Sequence, residues 1–190
     1  MKDGYHTGQL GKWLKEKFDN EFALYPYKPY YDHGDPSSPN VVAVKALFGE
    51  SVNNQTRLAD IDLLVATLDN RAVLLVEIEE SGNEPKKLLG DVFALLFCDR
   101  IAIGQGKQKY FTLSQETQII IAGKANTDGK KLVQIDETIT PRLRQFTAPS
   151  DGIPTHNVHF VFESDIATTI EVLKVKIPAL LRQMGSRVST

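Results

Sequence analysis

One cysteine, Cys98, stands alone in 190 residues. That excludes an internal disulfide framework and fits a reducing cytoplasm. Cys98 closes the apolar run 92–98, where an inert buried thiol is expected. No apolar run reaches the roughly 18 residues that a membrane span needs. The opening residues Met1-Lys2-Asp3-Gly4 lack the apolar stretch of a secretory signal. Basic residues are not in excess, since the net charge is −2, so attraction of nucleic acid by bulk charge is excluded. A local basic patch would have to do it. The candidates are Lys86-Lys87, Lys107 with Lys109, Lys130-Lys131, and the set Lys174, Lys176, Arg182 and Arg187, although such groups are more often just a solvated face. His156 and His159 are three apart at the start of a strand, so they face opposite sides and make a poor metal pair. No Gly-x-Ser-x-Gly elbow occurs, and Gly104-Gln105-Gly106-Lys107 lacks the spacing of a P-loop.

What is present is ordinary for a globular domain: 42% hydrophobic and 24% charged residues. The length suits a single domain over 1–190. Thr7 caps an expected helix over 8–18, whose apolar stripe is Leu10, Trp13, Leu14 and Phe18. A short edge strand is expected near 22–25. Four prolines then make 25–40 irregular. The apolar segment 41–48 reads equally as helix or strand, and 49–55 as loop. After a break at 81–85, residues 86–101 form an expected buried helix opened by Pro85. Strands are expected at 117–122 and 158–162, a partly helical stretch over 130–146, and a last helix over 164–184 that contains Pro178. This order implies an α/β fold with a mixed central β-sheet flanked by helices on both faces.

The chemistry concentrates between these elements. Residues 58–68 and 71–79 are aliphatic arms joined at Asp69-Asn70, a hairpin signal. With that pair as the turn, Leu68 faces Arg71, Asp62 faces Glu77 and Asp60 faces Glu79. Side chains alternate with period 2, so all four acids share one face. Opposed like charges are unfavourable in a sheet. At about 5 Å and an effective dielectric of about 20, each pair costs roughly 3 kcal/mol. A divalent cation removes that cost, because hard cations such as Mg²⁺ take carboxylate oxygens. The bland alternative is an acidic strand end facing solvent, and Asp60 can equally be an outer acid.

Asp62, followed about 15 residues later by Glu77-Ile78-Glu79 and then by a helix, resembles the PD-(D/E)XK nuclease superfamily, which includes restriction endonucleases and Holliday-junction resolvases. The resemblance implies a restriction-endonuclease-like core and a Mg²⁺- or Mn²⁺-dependent endonuclease acting on DNA. By position, Asp62 and Glu77 match the family's metal-binding acids, and the main-chain carbonyl of Ile78 a third ligand. Glu79 stands where most members have Lys, as it does in some restriction enzymes of the family; it would act as a base on water or bind a second ion. Lys86 or Lys87 would supply the displaced positive charge, and Glu16 or Glu21 an additional acid, as in some relatives. A homodimer is the simplest way to cut two strands. Two other readings compete. One is a catalytically silent member of this fold that binds nucleic acid or protein; the other is a structural Ca²⁺ site.

Overall fold

The structure is a computed structural model and describes residues 4–49, 55–80, 85–104, 108–125, 140–145 and 152–187; side chains are described for all of these but 85, 86 and 185–187. The fold is α/β. Helix α1 (Tyr5–Asn20) leads into strand β1 (Tyr27–Tyr31); β2 (Val44–Leu47), β3 (Arg57–Ile61), β4 (Leu63–Thr67) and β5 (Ala72–Glu79) follow. Then come helix α2 (Pro85–Phe97), β6 (Arg100–Ile103), β7 (Lys109–Thr112), β8 (Gln118–Lys124), a helical turn α3 (Thr140–Leu143), β9 (Val158–Glu163) and α4 (Ile166–Arg187). One sheet has the order β1-β4-β5-β8-β9, and a second has β3-β2-β6-β7. In the first sheet β5, β8 and β9 run parallel while β1–β4 and β4–β5 are antiparallel. No described helix is long and apolar enough to cross a membrane.

Strand alternation builds two apolar layers. Leu63, Val65, Leu74, Val76, Ile120 and Ala122 pack with Leu10, Leu14 and Phe18 of α1 and Ile170, Leu173 and Ile177 of α4. Leu64, Ala66, Leu75, Ile119 and Ile121 point the other way, onto Leu88, Val92 and Leu95 of α2 and onto the second sheet. The central sheet is thus covered on both sides, as its continuous apolar strands require.

Several expectations change. The first strand is 27–31, not 22–25, and it runs through Pro29. Strand β1 is the sheet edge, and an edge tolerates a residue with no N–H to give. The ambiguous segment 41–48 contains a strand, β2. Helix α2 stops at Phe97 instead of 101. Past Cys98, the Asp99 N–H donates to Leu47 O at 2.9 Å and the chain enters the second sheet as β6, antiparallel to β2. The segment 130–139 lies outside the described residues; within the expected helical stretch, 140–143 are helical.

The hairpin is also different in detail. The Thr67 N–H donates to Arg71 O at 2.9 Å, so the loop holds residues 68–70, and Leu68 does not face Arg71. Asn70 takes φ 65°, the left-handed residue that a three-residue hairpin loop needs. A bulge between Val65 and Ala66 then shifts the register back, giving Val65–Leu74, Leu64–Leu75 and Leu63–Val76. The loop and the bulge cancel, so the expected Asp62–Glu77 apposition survives. The Asp60–Glu79 apposition does not. Residues 58–68 are two strands in two sheets: β3 ends at Ile61, β4 begins at Leu63, and Asp60 pairs with Lys45 of β2. Ile61 packs with the second-sheet core and Leu63 with the α1–α4 layer, which forces a bend at Asp62.

Candidate metal centre

The bend places Asp62 at the mouth of a cleft. Its carboxylate Oδ2 accepts the Ile78 N–H at 2.6 Å, in place of the main-chain carbonyl that a longer β4 would offer. The cleft, of about 300 Å³, is lined by Gly4, Thr7, His33, Asp60, Asp62, Glu77, Ile78, Glu79, Glu80, Lys87, Leu88, Asp91 and Ile121. Asp62 and Glu77 meet in it as expected, each carboxyl among the causes that shift the other's pKa. Two carboxyl groups so close titrate as a pair. Burial is the main cause that pushes the Asp62 carboxyl up to about 7. Burial, then the Asp62 charge, raises Glu77 well above the carboxylate range. The Glu77 Oε1 atom is buried in the cleft with no hydrogen-bond partner.

Glu79 lies on the same side of β5 two residues on. It is buried, and its Oε2 forms an ion pair with Lys87 Nζ, whose side chain is more than half exposed. That hydrogen bond is the main cause raising the Lys87 pKa. One turn further along α2, Asp91 also faces the cleft, its pKa raised chiefly by burial. The structure therefore brings Lys87 to the acids; the side chain of Lys86 lies outside the described residues. Ile78 lines the cleft, and a strand residue turns its N–H and C=O toward the same neighbour, so its carbonyl faces the Asp62 side.

Glu16 and Glu21 do not join the site. They pair with Lys12 and Lys17, one turn back on α1, and neither lines the cleft. Asp60 lines it but forms an ion pair with Arg57. His159 contacts Gln118 Oε1 through Nε2 at 2.9 Å, and His156 sits in the turn before β9, so they form no metal pair. Cys98 is buried, its thiol pushed up to about 12 by that burial.

Asp32 and His33 were not legible as site residues. They follow β1, where Tyr31 pairs with Leu63. The same register carries Asp32 to Asp62, and the Asp32 N–H donates to Asp62 O at 3.2 Å. Ligand atoms of Asp32, His33 and Asp62 lie within 4.8 Å of one another, a grouping that could hold a metal ion. Recognition of β1 would have revealed it, because the register follows from the strand. Glu80 is the other unforeseen acid: its Oε1 accepts the Thr7 N–H at 2.9 Å and the Thr7 hydroxyl at 3.1 Å, tying α1 to the end of β5.

Compared with family models, with curated proteins and with solved structures, the chain has no match. The functional reading therefore stands on the cleft.

Proposed function

We propose that this protein is a divalent-metal-dependent nuclease that hydrolyses phosphodiester bonds of DNA, with the core and motif of the PD-(D/E)XK superfamily. The observation that carries the reading is the meeting of Asp62 and Glu77 in the cleft, with a buried Glu77 oxygen left unpartnered. A buried acceptor without a donor is costly, and two buried acids side by side are more so. The donor set fits Mg²⁺ or Mn²⁺: two carboxylates, the Ile78 carbonyl, and room for waters. When bound, such an ion lowers the pKa of a coordinated water and clamps a phosphate oxygen.

The chain's own residues supply the rest. Asp62 and Glu77 would hold the ion, with Asp62 fixed in place by the Ile78 N–H. Glu79 would orient the attacking water, its carboxylate held by Lys87. Lys87 would stabilise charge building on the phosphoryl oxygens. The order α1, β1, β4, β5, α2, β8, with antiparallel strands followed by a parallel one, supports the restriction-endonuclease-like core. A homodimer would bring two clefts to a duplex. The Glu79–Lys87 pairing favours one competing reading, a silent interaction module, since the lysine's charge is already matched.

Incubation of the protein with plasmid and single-stranded DNA, with Mg²⁺, Mn²⁺ or chelator, tests the proposal. Cleavage is expected only with metal. Glu77→Gln should abolish it, and Lys87→Ala should slow it at least about tenfold, a loss of roughly 1.4 kcal/mol of transition-state stabilisation. Undiminished cleavage in chelator, or by the Glu77→Gln protein, would overturn it. Binding of DNA without cleavage would favour the silent module.

A further inference from the structure

A second cavity, of about 810 Å³, lies between α1 and residues 31–41. Gly4 and His33 line both this groove and the metal cleft, so the two spaces meet there. The volume lies within the roughly 300–1,000 Å³ of ligand pockets. Glycines one turn apart on α1 build the floor. A Cβ on Gly8 would lie 2.9 Å from His33 O, and one on Gly11 2.2 Å from the Tyr31 ring. The helix therefore rests on residues 31–34 with no side chain between. The opposite wall is tied down as well: the Tyr31 N–H donates to Asn40 O and the Val42 N–H to Tyr31 O, each at 2.9 Å. The groove is preformed.

Its charges differ from those of the cleft. Among the described residues, the cleft sets Lys87 and His33 against Asp60, Asp62, Glu77, Glu79, Glu80 and Asp91. The groove sets Lys12, Lys15 and His33 against only Glu16, Asp32 and Asp35. Each of these acids is already engaged. Asp35 accepts the Ser37 N–H at 2.9 Å and the Ser37 hydroxyl at 2.8 Å. Asp32 Oδ1 lies 2.6 Å from His33 Nδ1, and Glu16 lies 4.0 Å from Lys12. The Lys12 and Glu16 side chains are 69% and 60% exposed, and a pair so exposed is worth little. Lys15, paired with Asp19 at 2.6 Å, also reaches solvent. A polyanion approaching the acidic cleft thus meets its cations in the groove. Tyr5 lines the same wall and is 49% exposed. A groove that joins cations to an aromatic platform is the arrangement that holds single strands.

We propose that this groove is the track of one unpaired DNA strand, with Lys12 and Lys15 on its phosphates and the Tyr5 ring against a base. The track leads the strand past Gly4 and His33 into the cleft. The substrate class is single-stranded DNA, or a duplex only where its strands are parted. A space bounded by one helix and one loop receives one strand; a stacked duplex does not enter it. The inference rests on the DNA reading above, but not on cleavage, since a silent module would use the same track. Stacking on an aromatic ring tolerates any base, so no sequence preference is expected from this contact.

Fluorescence anisotropy of the full chain with a labelled oligothymidine, and with a duplex of the same length, tests the inference in chelator, where no cleavage is expected. Wild type should bind the single strand more tightly than the duplex. The double variant Lys12→Ala/Lys15→Ala should weaken that binding at least about tenfold. It should also flatten the slope of log K against log salt by about 1.4, from two phosphates at about 0.7 each. Tyr5→Ala should weaken binding at least about fivefold with the salt slope kept, and Tyr5→Phe should restore it. Lys176→Ala, outside the groove lining, should bind as wild type does. Equal affinity for single strand and duplex, or undiminished binding by either the lysine variant or Tyr5→Ala, would overturn the inference and leave the metal cleft standing. So would a wild type that binds neither form yet cleaves DNA with metal. Neither binding nor cleavage would overturn the nuclease reading as well. Melting curves of the variants confirm that they are folded.

Discussion

At the scale of single residues, the acids of the cleft invert the usual effect of pH on stability. Most native carboxylates are stabilised as anions; Asp62 is held toward its neutral form chiefly by burial, and Glu77 by burial and then by the Asp62 charge. An acid whose pKa is raised by folding binds more protons folded than unfolded, so stability falls as pH rises between the two values. For Asp62 the window runs from 3.8 to about 7. The loss is at most about 4 kcal/mol, from a shift of about three units at 1.36 kcal/mol each. Metal-free wild type should therefore weaken between pH 5 and pH 7. Glu77→Gln should be flatter and more stable above pH 7, because its amide can donate to Asp62. Urea denaturation in chelator across that range checks it. Equal pH profiles for the two proteins would show that the carboxyls do not oppose one another.

At the scale of elements, α4 shows how local chemistry sets a boundary. The Asp165 carboxylate accepts the Thr168 N–H at 2.9 Å and the Thr168 hydroxyl at 2.9 Å, the arrangement of an N-cap. Asp165→Ala should cost about 1 kcal/mol in a denaturant titration, with no effect on metal uptake. Asp165 lies outside the cleft lining. Thr7 does not cap α1, which begins at Tyr5. Elements with a clear apolar pattern were legible in sequence: α1, α4, β8 and β9, and α2 apart from its early end at Phe97, fall close to their expected places. So did the Asp62–Glu77 apposition, because arms of period 2 leave few registers. The second sheet was not legible, since β2, β6 and β7 are four-residue strands, too short for a clear alternation, and the β2–β6 pairing joins segments more than 50 residues apart. Strand β1 was hidden by Pro29, Asp32 and His33 were lost with it, and the bend at Asp62 was invisible because Ile61 and Leu63 read as one apolar strand.

At the scale of the whole molecule, the cleft gathers Gly4 and Thr7 of the first helix with its start, His33 after β1, Asp62 between the two sheets, the end of β5, and α2. A cation there would fasten segments far apart in sequence. A ligand that binds only the folded state adds about 2.7 kcal/mol at 100 times its dissociation constant, and at this chain length each kcal/mol moves the melting temperature by roughly 2–4 °C. Mn²⁺ or Mg²⁺ should thus raise the melting temperature by about 5–10 °C over chelator, read by scanning calorimetry. Identical melting temperatures with and without metal would mean that these acids bind none.

The Ile78 N–H has a consequence of its own. It hangs from the Asp62 carboxylate at 2.6 Å where its neighbours along β5 hang from other strands. Its exchange with deuterated solvent therefore follows a side chain. Whatever occupies the cleft, or changes the charge on Asp62, is reported by one amide in the middle of the protein, which makes that proton a gauge of the site that needs no substrate.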